Sequence, residues 1–138
     1  MKHKWSDVQL AFEFVSSGPM YANQAVVSRE TGEIWYRSDF GDSDPGFPED
    51  IDDTDVYLSV PHKNDLELGR DVVFRFAEEF MPEEYETVLE IFRKKGAYAR
   101  LKAFLDRMGR LDEWYRYEQA ESDRALREWC EENALEVE

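Results

Sequence analysis

The apolar residues change their spacing close to Pro61. Upstream, Ala25-Val26-Val27 and Ile34-Trp35-Tyr36 are short β-branched or aromatic clusters, and residues 55–60 form a third. Downstream, to about Asn133, apolar side chains recur three and four positions apart. A period of two belongs to strands and one of 3.6 to helices. The expected fold class is therefore α+β: a small antiparallel three-stranded sheet packed with about five helices, the C-terminal half all helical. With 138 residues, one domain spanning 1–138 is the natural reading.

Local signals place the elements. Ser6 and Gln9 have capping-box spacing and Trp5 and Leu10 staple spacing, so a helix is predicted over 7–16, closed by Ser16-Ser17-Gly18-Pro19. Gly32 marks the hairpin turn within 21–38. Asn64 and Glu67 repeat the capping logic ahead of a face made by Leu66, Gly69, Val73, Phe76 and Phe80. Pro82 opens the next helix, whose stripe is Tyr85, Val88, Leu89 and Phe92 and whose stop is Gly96. Tyr98, Leu101, Phe104, Leu105 and Met108 make the stripe of a fourth helix ended by Gly109. Asp112 is the expected N-cap of the last.

Between the second and third strands lie eight acidic residues (39, 42, 44, 49, 50, 52, 53 and 55) and no basic ones. With Pro45, Gly46 and Pro48 among them, a solvated loop is expected, pinned by Phe40, Phe47 and Ile51. Asp42, Asp44 and Glu49 or Asp50 could collect a hard cation through oxygen. Their spacing does not match an EF-hand, and whether any metal binds there is left open. A metal-dependent enzyme using carboxylates of 39–55 is one alternative reading of the chain.

Other catalytic equipment is absent from the pattern. His3 belongs to a terminus expected to fray, and His62 follows a strand; neither has a second histidine at ligand spacing. The single cysteine, Cys130, sits beside Trp129 on an apolar helix side and reads as a buried, inert thiol. No glycine-rich phosphate loop occurs, so no cofactor and no catalytic residue is expected. A lone cysteine and the lack of a long apolar run point to a soluble cytoplasmic protein without membrane contact.

The C-terminal half carries a likeness. Gly96, Tyr98 and Leu101, then Leu111, Trp114 and Tyr115, then Trp129, Glu131 and Asn133 resemble the uncharacterised protein family UPF0158. That family has a Gly-x-Phe-x-x-Phe segment, a Leu-x-x-Trp-Tyr motif and a closing Trp-Leu-Glu-x-Asn-like segment. Val60-Pro61 would take the place of its Ile-Pro-like strand end, and the likeness covers most of 21–135. Tyr98 and Leu101 stand where phenylalanines are expected, and Cys130 where leucine is. The resemblance implies a domain but no activity, ligand or catalytic residue.

Charge supplies the remaining argument. The chain carries 32 acidic and 17 basic residues, a formal charge of −15, which repels phosphate backbones, so nucleic acid is not an expected partner. Yet residues 93–110 hold seven basic residues and one acidic, whereas 111–138 hold ten acidic and three basic. Next to this basic stretch, Trp114, Tyr115 and Tyr117 crowd too much of a helix circumference for one narrow stripe. Aromatic residues with polar edges favour interface centres. The main expectation is a non-catalytic protein-interaction or regulatory domain, its partner another protein or a second copy of the chain. The interaction candidates are Arg100, Lys102, Arg107, Trp114, Tyr115 and Tyr117. On that view Trp114→Ala and Arg100→Glu weaken association and largely spare helicity. A further alternative is an acidic nucleic-acid mimic that occupies a basic partner.

Overall fold

The computed structural model describes residues 3–39, 41 and 44–138. Along the chain run α1 (Trp5–Ser16), β1 (Asn23–Ser28), β2 (Ile34–Ser38), β3 (Tyr57–Ser59), α2 (Arg70–Phe80), a 3-10 turn (Pro82–Glu84), α3 (Tyr85–Ile91), α4 (Ala97–Arg107) and α5 (Leu111–Glu132). This is the α+β arrangement, with the sheet confined to the first 60 residues. The chain divides into two compact units. One comprises Met1–Leu66 and Arg124–Glu138, the other Glu67–Asp123.

In the first unit the sheet order is β2-β1-β3, both pairings antiparallel. The central strand buries four consecutive residues, Ala25, Val26, Val27 and Ser28, because both of its faces are covered. Val26 pairs with Trp35 and Val27 with Ile34. The five-residue connection uses Gly32 at φ +79°, a conformation that a side chain disfavours. Alternation along β2 sends Tyr36 edge-on to Phe14 of α1 (5.1 Å between centroids) and Trp35 toward Tyr57 (6.0 Å). On α1, Val8, Ala11, Phe12 and Val15 are buried, a stripe at helical spacing.

The start of α1 departs from expectation. Its N-cap is Lys4, without a side-chain cap, so Ser6 lies inside the helix. Leu10 is 60% exposed, and Trp5 lies beneath the Arg127 guanidinium, 4.0 Å from ring centroid to Cζ; no staple forms. Backbone pairing takes over the capping role. The amides of His3 and Trp5 donate to Glu136 and Glu138 carbonyls, and Glu138 returns a bond to His3, giving a parallel bridge between His3 and Val137. Two ends of the chain thus satisfy each other's orphan groups. His3 is accordingly buried rather than frayed, with Nε2 3.2 Å from the Ser28 carbonyl oxygen.

The acidic segment folds back along β2. Asp44 accepts the Tyr36 amide on its carboxylate (2.9 Å), and its own amide donates to the Tyr36 carbonyl. Phe47 packs beneath the Arg37 guanidinium, 4.4 Å away. Phe40 and Asp42, the other residues of interest here, lie outside the described residues.

In the second unit, Val72, Val73, Phe76, Ala77, Met81, Val88, Leu101, Leu105 and Trp114 form one buried cluster. Helix α2 begins at Arg70 with Gly69 before it, later than the Asn64 signal implies. Turns hold the intervening segment (Asp65 N–H to His62 O, Leu66 N–H to Lys63 O), and Glu67 takes a left-handed φ of +56°. That conformation interrupts a helix, which leaves Leu66 and Gly69 off the helical face.

Helix α3 ends at Ile91, before the basic triplet. The Arg100 guanidinium reaches back from α4 to the carbonyls of Ile91 (2.6 Å), Lys94 (2.8 Å) and Lys95. It thus collects acceptors that a helix end leaves open. Gly96, at φ +75°, makes the reversal between the two helices. In α5, the Trp114 amide donates to Arg110, so Asp112 sits inside the first turn with Glu113 instead of capping it. Both carboxylates still favour that positive helix end. Among the described residues, no helix is long and apolar enough to cross a membrane.

Candidate functional site

The six interaction candidates separate into three environments. Trp114 is 2% exposed and belongs to the core: its ring lies 5.3 Å from Phe76 and stacks at 6.5 Å with Tyr117. Tyr117 is half-buried against Phe76 and Phe80. These two side chains pack within the unit, which corrects the expectation that Trp114 presents a surface. Arg100 serves the end of α3, as described above.

Lys102 and Tyr115 remain on the surface together. The Lys102 ammonium lies 5.9 Å from the centroid of the Tyr115 ring, at the outer limit of a cation–π contact. Tyr98, expected in the buried stripe, is 46% exposed, and Tyr115 is 42% exposed. Tyr98 and Lys102 are i,i+4 neighbours on α4, while Tyr115 and Glu118 are i,i+3 neighbours on α5, so each pair shares a helix face. Partial burial and the nearby Glu118 carboxylate raise the Tyr98 phenol above its usual pKa, with Arg70 opposing. The Lys102–Tyr115 contact thus joins the two faces, and with them a group of two tyrosines, a lysine and a glutamate.

Arg107 is exposed in the last turn of α4. Seven positions from Arg100, it shares that residue's side of the helix, while Lys102 lies some 200° away from Arg100. The basic stretch is thus wrapped around a helix and its preceding turn. Arg93 pairs with Glu90 (2.6 Å) and Arg110 with Glu113 (2.9 Å), both local contacts. Among the described residues, Lys94, Lys95, Lys102 and Arg107 have no ion-pair partner.

A second feature lies wholly in the sheet-containing unit. A cleft of about 520 Å³ is bounded by the end of α1, the turn at Met20-Tyr21, β1, the segment after β3, Ile51 and the last turn of α5. At its wall, His62 is buried, its Nε2 2.8 Å from the Gly18 carbonyl oxygen and its Nδ1 3.0 Å from the Asn64 amide. Nothing in the sequence pattern singles this histidine out, because its partners lie in separate turns.

Metal ligation finds no assembled site: among the described residues, no group of three histidine, cysteine or carboxylate side chains could hold an ion. Asp44 instead serves the Tyr36 amide. Cys130 is buried, and desolvation pushes its thiol up to about 11, the Arg127 charge opposing weakly. A raised value means that folding favours the neutral thiol. The resulting stability is complete below the ordinary thiol pKa and is lost as pH rises through about 11. Native protein at pH 8 is therefore expected to react with a thiol-disulfide reagent at least about tenfold more slowly than urea-unfolded protein. Equal rates, timed spectrophotometrically, would contradict the burial.

No family model, curated protein or solved structure matches the chain. The resemblance to UPF0158 rests on the residues quoted for it alone.

Proposed function

We propose that this chain is a non-catalytic protein-interaction domain, and that the surface formed by Tyr98, Lys102, Tyr115 and Glu118 pairs with a second copy of itself. The observation that carries the reading is the coexistence of both charges with two exposed tyrosines on one surface of α4 and α5. A two-fold interface must be self-complementary, so that a residue i facing j implies j facing i. Lys102 of one copy opposite Glu118 of the other meets that condition, with the tyrosines supplying rigid amphipathic area between them. A like-signed surface would repel its own copy, especially in a chain of net charge −15.

Sedimentation equilibrium tests the reading through charge exchange. Lys102→Glu and Glu118→Lys should each weaken dimerisation by about fivefold or more, and the double exchange should restore most of it. Tyr115→Ala should weaken it further, by roughly thirtyfold if this residue anchors the interface. A wild-type protein that stays monomeric, or a double exchange no better than the single ones, would rule out this pairing.

A further inference from the structure

We infer that the cleft in the sheet-containing unit is a binding site for an organic cation: an ammonium or guanidinium group on an apolar stem. Most polar groups at its wall are already engaged. The Asn23 side-chain amide donates to Phe14 O and Ser17 Oγ, and Gln24 Oε1 accepts from Arg37. Both His62 ring nitrogens are engaged. Asp65 accepts the His62 amide on Oδ2, and Glu132 is an exposed carboxylate without a hydrogen-bond or ion-pair partner among the described residues. No lysine or arginine lines the cleft. The two charged groups at its wall are therefore both negative, and they come from two separate elements.

Aromatic faces complete the set. Trp129 is half-buried at the wall, one helical turn before Glu132. Tyr21 is 76% exposed at the same cleft and takes a left-handed φ of +72°, a costly conformation for a bulky residue. Val15, Val60 and Leu66 give the cleft apolar ground. Carboxylates beside tryptophan and tyrosine faces suit a cation, whose charge the rings attract, while an apolar stem covers the aliphatic wall. The volume is ample for one such group. An anion would meet two carboxylates and no compensating charge.

The free amine and a lysine side chain share this chemistry, and titration followed by amide and indole NMR shifts separates them. Phenethylamine represents the first source and N-acetyl-lysine methylamide the second; 2-phenylethanol and phenylacetate are the neutral and anionic controls. Saturable shifts at the Trp129 indole and around Tyr21 are expected with at least one cation, whichever binds more tightly naming the source. The alcohol should bind at least about fivefold more weakly than phenethylamine, and the anion more weakly still. Glu132→Gln removes an exposed charge that holds nothing in place. It should weaken the cations by about fivefold and leave the alcohol unchanged. Equal binding of amine and alcohol, tighter binding of phenylacetate, or no shift at Trp129 with millimolar cation would overturn the assignment.

Discussion

Replacement of Trp114 by alanine is expected to destabilise the protein by about 3–5 kcal/mol, whereas Tyr115→Ala, one residue along, should cost no more than about 1 kcal/mol. The contrast follows from where the two rings lie. Trp114 meets Phe76 edge-on at 5.3 Å and Tyr117 at 6.5 Å, within a cluster that includes Leu101 and Leu105. Removing it loses the transfer energy of a large side chain and leaves a void that fixed helices fill only in part. Tyr115 is 42% exposed and loses little beyond its contact with Lys102. Chemical denaturation of both variants, followed by far-UV circular dichroism, measures the difference. Similar losses of stability would show that Trp114 does not anchor the core. The dimerisation test consequently belongs to Tyr115, since an effect of Trp114→Ala on association would report unfolding.

What was legible in the sequence is whatever is settled within a few residues. The hairpin turn at Gly32, the reversal at Gly96 and the stop at Gly109 all have positive φ, and each follows from local backbone preference. Of the face expected on α2, Val73 and Phe76 are buried, as helical spacing implies. The start of α1 does not, because its caps are the carbonyls of Glu136 and Glu138, at the other end of the chain. A Ser-x-x-Gln signal carries no information about a competing partner so distant in sequence. Trp114, Tyr115 and Tyr117 present a different ambiguity: crowding shows that not all can be buried alike, but not which one is. The positions 111, 114 and 117 hint at a common side, and both Leu111 and Tyr117 do pack against the cluster containing Trp114. The cleft is still less legible, since its carboxylates and rings are assembled from three separate stretches.

The strongest polar tie in the sheet-containing unit is expected at His62. The Gly18 carbonyl can only accept and the Asn64 amide can only donate, so the ring must carry its proton on Nε2 and present a lone pair at Nδ1. One neutral tautomer therefore joins the turn after α1 to the turn after β3. The His62 amide adds a third bond, to Asp65 Oδ2 at 3.0 Å, and the Lys63 amide a fourth, to Ser16 Oγ. His62→Phe keeps the ring's bulk but leaves a carbonyl and an amide without their partner, at a cost of about 2–3 kcal/mol. Asparagine can place its side-chain oxygen near the position of Nδ1, and glutamine its amide nitrogen near that of Nε2. Each should recover one bond, so both variants should fall between wild type and phenylalanine in urea denaturation. Nitrogen chemical shifts of the ring in the native protein should report the Nε2–H form. A phenylalanine variant within about 0.5 kcal/mol of wild type would mean that water replaces both bonds at little cost. In that case the two turns are held by their backbone contacts and the packing around them.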